Sequence, residues 1–327
     1  MRRSSAVAAF LGFLISAGCG GSPTAPPPPP AAPTVSCPAS FTLESPENTP
    51  LPAGFAVPNA SGGQTPVSVS CSAQPGATFP LGTTTVSCTA TDALQRTASC
   101  SFAITIAPTP RIARTRYLAF GDSITDGRCG PGGRTCTPYA DRLATLLRAR
   151  YMQQSFTVIE SGIPGETASD DIPESSVPTN GQDRLGPELS QFAPEVLLLM
   201  EGTNDLFFRQ EEGVTLALAA LSRMIDIAQT RGVQVFIATI PPQRLGGPRD
   251  AVARLIPGMN AQLKTMAAGK GVTVVDVNAA LSADIAAYIS EDDLHPTSAG
   301  LQVIAETFYA AVRQALDTTP VTSGLGR

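Results

Sequence analysis

AFGDSITDG, residues 119–127, decides how the larger part of this chain folds. The apolar run Tyr117–Phe120 ends in Gly121-Asp122-Ser123. A buried strand hands over to a turn and helix in this way, because Asp and Ser both cap helix N-termini. Taken alone, the triplet leaves Ser123 either a nucleophile or a polar residue closing a strand. The rhythm it starts then repeats. Tyr117–Phe120, Phe156–Ile159, Val196–Met200, Val233–Ile240 and Val272–Val277 read as strands. Tyr139–Arg150, Val214–Arg231, Ala251–Ala268 and Ser298–Leu316 read as amphipathic helices. In the second of these, Leu216, Leu218, Ala219, Leu221, Met224, Ile225 and Ile227 form the broad apolar face of a helix that covers a sheet. Strict alternation predicts an α/β domain over 117–317, three layers deep, with a parallel sheet between helices. Its site then belongs beyond the carboxyl ends of the strands, where Ser123 falls.

The first third of the chain reads differently. MRRSSAVAAFLGFLISAGCGG has a basic start, an apolar stretch from Ala6 to Ile15 too short to span a bilayer, and small residues before Cys19. Residues 1–18 are expected to be an export signal. A cysteine at that point resembles the bacterial lipobox, with Ser16 where leucine is most usual, so Cys19 is the expected lipidation site. The alternative is an ordinary signal peptide cleaved elsewhere, giving a secreted protein. GSPTAPPPPPAAP (21–33) has no apolar face to bury and reads as a polyproline spacer, so 19–33 is expected to tether the rest to a membrane surface.

From 34 to 107, short runs rich in Val, Thr and Ile are separated by Gly, Pro and Asn, the pattern of a small antiparallel β-sandwich. Residues 108–116 are expected to be a linker and 318–327 a flexible tail. Cys37, Cys71, Cys88 and Cys100 fall mostly on inward positions, and an even number in so small an exported domain predicts two disulfides. Cys88 and Cys100 lie symmetrically about a turn near Leu94, which favours 88–100 with 37–71 among the three pairings. In the loop after Ser123, Cys129 and Cys136 flank Gly-Pro-Gly-Gly and are expected to close a small disulfide loop at the pocket rim, worth about 2–3 kcal/mol in the chain-entropy model.

A serine is a poor nucleophile without a base, and the base needs an orienting acid. The 327 residues contain one histidine, His295, in SEDDLHPTSAG. Asp292 stands three residues before it, with Asp293 as the alternative carboxylate. Two further strand ends, ESGIPGETA (160–168) and MEGTNDLF (200–207), offer candidate donors for an oxyanion: the N–H groups of Gly162 and Gly165 and the side-chain amide of Asn204.

In order, GDSITDG, SGIPGET, GTND and DDLHP resemble the four sequence blocks of the SGNH hydrolases, also called the GDSL esterase/lipase family. The resemblance implies a flavodoxin-like sheet and a serine esterase. Ser123 would be the nucleophile, His295 the base and Asp292 its partner. The N–H groups of Ser123 and Gly165 and the amide of Asn204 would form the oxyanion hole. One position departs from the family pattern: Glu160 replaces the usual Asn of the second block. FPLGTTTVSCTATDALQRTASCSF (79–102) is similar to the hyalin-repeat type of immunoglobulin-like domain, with Gln95-Arg96 in place of its Gly-Asn.

The composition narrows the partners. Charged residues are 15% of the chain, the net charge is −5, and no basic stripe suits nucleic acid. Neither a metal nor a nucleotide cofactor is implied, since one histidine and no phosphate-binding glycine loop are present. The expected substrate is a small or lipid-like ester. An O-acetylated polysaccharide, docked through the β-sandwich, is the second reading, and an inert adhesion lipoprotein the third.

Overall fold

The computed structural model describes residues 28–173, 175 and 177–321. The export signal, Cys19 and the first part of the proline spacer lie outside the described residues, as do 322–327.

The N-terminal module is antiparallel and β-rich. Strands β1 (Thr34–Val35) and β4 (Ala60–Ser61) pair, as do β3 (Leu51–Pro52) and β6 (Thr78–Phe79). The main sheet has the order β2 (Phe41–Ser45), β8 (Thr97–Pro108), β7 (Gly82–Thr91), β5 (Ser68–Cys71). Val86, Cys88 and Ala90 alternate into the interior from β7, and Phe102, Ile104 and Ile106 from β8. Phe102 meets Phe55 edge to face at 5.1 Å between centroids.

The disulfides correct the expected pairing. Cys37 bonds to Cys100 and Cys71 to Cys88. Hydroxyl pairs Thr83–Thr105 and Thr89–Ser99, each at 2.9 Å, fix the register of β7 on β8. That register does set Cys88 opposite Cys100. However, β7 has a neighbour on each side, and Cys71 of β5 stands directly across from Cys88 with Cα atoms 4.0 Å apart. Cys100 is thereby left to the N-terminal segment carrying Cys37. Symmetry about one hairpin could not report the register of the third strand.

The C-terminal domain is built on five parallel strands: β9 (Arg116–Gly121), β10 (Thr157–Gly162), β11 (Val196–Met200), β12 (Gln234–Ala238) and β13 (Thr273–Val275). Their order is β10-β9-β11-β12-β13. Every neighbouring pair is parallel, and Gly121 is level with Gly162 on one side and Met200 on the other. The three central strands, β9, β11 and β12, are buried on both faces, which explains their unbroken apolar runs, whereas the edge strands β10 and β13 are only partly covered. Tyr117, Ala119, Val196, Leu198, Phe236 and Ala238 face one core with helices α1 (Tyr139–Arg150), α5 (Val277–Ser282) and α7 (Ser298–Leu316). Leu118, Phe120, Leu197, Leu199, Val235 and Ile237 face the other with α2 (Gly181–Phe192), α3 (Thr203–Thr230) and α4 (Asp250–Gly269). A short helix, α6 (Ile285–Tyr288), precedes the histidine loop.

The elements differ from expectation where the site is built. Helix α3 begins at Thr203, eleven residues before its apolar periodicity, and breaks at Gln210, whose φ is 49°. Its first turn carries Asn204 and is a separate piece from the sheet-covering helix. Helix α2, with two glycines, a proline and many polar residues, was not legible as a helix. Asn180 caps it by accepting the Asp183 N–H at 2.9 Å. The segment expected as a linker is partly stitched into this domain. Ile112 is buried in its core, Ala113 N donates to Leu316 O, and Thr318 N donates to Arg111 O, so the expected tail is held at its start.

The observed cystines predict that peptide mapping without reduction yields Cys37 joined to Cys100 and Cys71 to Cys88. Opening the first by Cys37→Ala, which closes a 63-residue loop, should cost more stability than Cys71→Ala. The chain-entropy values are about 4 and about 3 kcal/mol, and thermal melts check the order.

Candidate active site

The strand order reverses between β9 and β11, and a crevice opens there at the carboxyl ends of the strands. Ser123 follows β9 by two residues. Asp122 accepts the Ile124 N–H at 2.9 Å, and Asp126 N donates to Asp122 O at 3.1 Å, so the chain turns sharply under the serine. That turn lies directly on β10. A side chain at Gly162 would meet Asp126 N at 2.1 Å, and only glycine lets the two backbones approach so closely. Ser123 is 6% exposed, and its Oγ is 2.9 Å from His295 Nε2.

The histidine arm is built locally. In the turn 290–295, Ser290 N donates to His295 O at 2.8 Å and Asp293 N to Ser290 O at 3.2 Å. Asp292 Oδ1 accepts from Ser290 Oγ at 2.7 Å, His295 N at 2.9 Å and Leu294 N at 3.1 Å. Its other oxygen lies 2.7 Å from His295 Nδ1. Partial burial acts to raise the Asp292 pKa, but the hydrogen bonds from Ser290, His295 and Leu294 outweigh it and hold the value at about 2. An ionised carboxylate can only accept, so Nδ1 carries the hydrogen and the Nε2 lone pair faces Ser123. Asp293, the alternative carboxylate, adopts a φ of 66° and packs against Gly247 instead.

The other two sequence-predicted donors meet at the same crevice. Gly165 has a φ of +83°, which favours glycine, and presents its N–H from the loop after β10. Among the described residues, the N–H groups of Ser123 and Gly165 have no acceptor. Asn204 donates one amide hydrogen to Glu166 O at 2.7 Å, which leaves the second for a ligand. Ser123, Gly165, Asn204 and His295 line one cavity of about 360 Å³ with Arg128, Gly133, Pro164, Arg249 and Leu294. The Cys129–Cys136 disulfide is present. Its loop, closed by Cys129 N to Arg134 O at 2.9 Å, brings Arg128 and Gly133 to the wall.

Sequence reasoning missed the buried charges that hold these donors. Arg184 of α2 pairs with Glu166 at 2.5 Å and Glu188 at 2.7 Å, and its guanidinium lies 3.8 Å over the Phe120 ring. Glu166 is the residue whose carbonyl anchors Asn204. Asp205, the last letter of GTND, accepts the N–H groups of Ala168 and Ser169 at 2.8 and 3.0 Å, tying α3 to the loop that carries Gly165. An acid placed next to Asn204 in the first turn of a helix was the only signal for it. Glu160, the departure from the family pattern, accepts the Gly162 N–H within its own strand. Burial raises the pKa of Asp122 to about 7, against the Ile124 hydrogen bond and with help from Asp205 and Glu166. Burial likewise raises Asp205 to about 6, opposed by the backbone hydrogen bonds it accepts.

Two outcomes follow from these charges. Arg184→Met leaves Glu166 buried and uncompensated, so it should destabilise the domain by about 3–5 kcal/mol in urea unfolding. Because the folded pKa of Asp122 lies above its ordinary value of 3.8, folding favours its protonated form. Its contribution is full below about pH 4 and is lost as pH rises towards 7. Asp122→Asn, which keeps an acceptor for Ile124, should therefore gain stability over the native protein at pH 7.5 but not at pH 4, as read from urea midpoints.

Comparison with known proteins bears on both the N-terminal module and the C-terminal domain. Residues 30–106 match the HYR domain model. A search of curated proteins finds no match. Among solved structures, the lipase/acylhydrolase from Enterococcus faecalis is similar at 21% identity and a TM-score of 0.52, over 63% of this chain and all of that one. A catalytic mutant of an acetylxylan esterase from Geobacillus stearothermophilus is similar at 23% identity and a TM-score of 0.50, over 62% of this chain and 95% of that one. At such identities the likeness is one of fold. The model of the GDSL-like Lipase/Acylhydrolase family matches residues 119–303, more than half of the chain, with all four sequence blocks inside it, and the chain belongs to that family.

Proposed function

We propose that this protein hydrolyses short-chain carboxylic esters through an acyl-serine intermediate. The observation that carries the reading is the unbroken relay from Asp292 through His295 to Ser123, at 2.7 and 2.9 Å, inside a cavity that also holds unpaired N–H donors. Ser123 Oγ attacks the ester carbonyl carbon while His295 Nε2 takes its proton. The N–H groups of Ser123 and Gly165 and the Asn204 amide receive the negative oxygen. As the tetrahedral intermediate collapses, His295 gives the proton to the departing alcohol. A water molecule, deprotonated by the same nitrogen, then attacks the acyl carbon and releases the acid. Asp292 stays ionised throughout and steadies the imidazolium.

The cavity wall supports a short acyl group. Pro164 and Leu294 are its apolar side chains, and the rest of it is polar, charged or glycine. A long alkyl chain needs a continuous apolar wall to leave water. This favours acetyl and similar groups over fatty acyl groups, and O-acetyl groups on a glycan are the natural substrates of that size. The N-terminal module would then act as a spacer or glycan contact. Export, with anchoring through Cys19, is part of the same proposal. It is supported by the pattern of residues 1–19 and by three disulfides, which persist in oxidising compartments.

Hydrolysis of p-nitrophenyl esters from acetate to palmitate by the full chain tests the reading. Turnover should be highest at acetate or butyrate and vanish in Ser123→Ala. Asn204→Ala should lower kcat about 10²–10³-fold with a smaller change in KM, as expected for an oxyanion donor. A maximum at palmitate, or turnover indifferent to Ser123, would sink it.

A further inference from the structure

The cavity around Ser123 holds two guanidinium groups, and they differ in what they already bind. Arg128 is engaged: its Nε donates to Asp126 at 2.9 Å and its Nη1 to the Gly133 carbonyl at 2.5 Å. The side chain of Arg249, at the start of α4, makes no hydrogen bond and no ion pair with any described residue. Its Nη1 is buried without a hydrogen-bond partner among the described residues. Asp292 and Asp122 act on it through space, yet neither comes within ion-pair distance. The group is held instead by an aromatic face, with its central carbon 4.1 Å from the centroid of the Phe207 ring. Phe207 is itself 43% exposed.

A stabilising arrangement would look different. A guanidinium that only supports the fold finds a carboxylate or backbone carbonyls for its five donors, as Arg184 does here with Glu166 and Glu188. Arg249 keeps a full charge, because no ordinary environment deprotonates arginine, and its contact with the Phe207 face uses none of its hydrogens. The result is a rigid planar fork of donors in the wall of the reactive cavity, in a chain whose net charge is −5. Its geometry suits an anion with two oxygens to offer.

We propose that Arg249 binds a carboxylate or phosphate group carried by the ester substrate, and so selects esters bearing a negative charge close to the scissile bond. This inference rests on the ester-hydrolase reading above and adds the charge class of the substrate. Phe207 positions the guanidinium. The rest of the chain's negative charge repels anions in general, so the attraction is confined to the cavity and falls with added salt.

The test compares three acetyl esters on the full chain: methyl 4-acetoxybenzoate, which is neutral, and 4-acetoxybenzoate and 4-acetoxyphenyl phosphate, which are anionic. Each kcat/KM is divided by the rate constant for hydroxide hydrolysis of the same ester, to remove differences in leaving-group chemistry. The native protein should prefer at least one anionic ester by about tenfold or more, and which one identifies the anion. Arg249→Gln should remove that preference, Arg249→Lys should keep part of it, and 0.5 M NaCl should lower it in the native protein. Loss of all activity equally in Arg249→Gln, or no anionic preference in the native protein, overturns the proposal. The neutral ester in native and Ser123→Ala protein reports separately on the hydrolase reading. Should that reading fail, calorimetric titration with benzoate and phenyl phosphate still decides. Binding at least about tenfold weaker in Arg249→Gln supports the anion site, and equal or absent binding overturns it.

Discussion

The whole site hangs on β9 lying between β10 and β11 and running parallel to both. That order aligns three carboxyl ends, Gly121, Gly162 and Met200, in one row. The chain leaves each of them carrying a different part: the serine, the Gly165 loop, and Asn204. The connection from β9 to β10 through α1 and the return from β10 past β9 to β11 through α2 run in opposite directions across the sheet and put the two helices on different faces, which is what opens a crevice at this point. A different strand order would scatter the same four sequence blocks along the sheet edge. The steep burial of β9, with Tyr117 to Phe120 fully enclosed, is the cost of that position.

Around the row, the protein spends buried charge rather than apolar packing to hold its loops. Arg184 sits on Phe120, binds Glu166, and through the Glu166 carbonyl fixes Asn204. Asp205 clasps the next two N–H groups of the same loop. A loop cannot be immobilised by a hydrophobic face it does not have, so hydrogen bonds from enclosed carboxylates do that work. The same enclosure forces Asp122 and Asp205 towards protonation. The site is thus maintained by groups that weaken the fold as pH rises, whereas Asp292, held at about 2, is secure across that range.

The pocket that results is small and polar, closed on one side by the Cys129–Cys136 loop and on another by Arg249 over Phe207. Its chemistry divides between two sources. Ser123, Gly165 and Asn204 follow the ends of β9, β10 and β11, whereas Asp292 and His295 stand in a turn between α6 and α7. The rest of the wall, including Arg128, Gly133 and Arg249, comes from loops and a helix start that the fold leaves free to vary.

Residues near one another in the chain were legible without coordinates. Alternating apolar runs located all five parallel strands, and helical periodicity located α1, α4 and α7. The Asp292–His295 turn could be read from spacing, because an acid three residues before a histidine reaches it within one tight turn closed by local hydrogen bonds. The tertiary structure decided what depends on register and on distant packing. The approach of Ser123 to His295 joins residues 172 apart. Cys88 had a cysteine across from it on either side, and only the placement of β5 chose Cys71. The early start of α3 and the whole of α2 carry polar residues facing a buried site, so apolar periodicity was silent there. Arg249, one arginine in a loop, looked like any solvated charge. Local patterns encode which face of an element is buried, whereas a partner's identity is set by where the sheet brings two elements together.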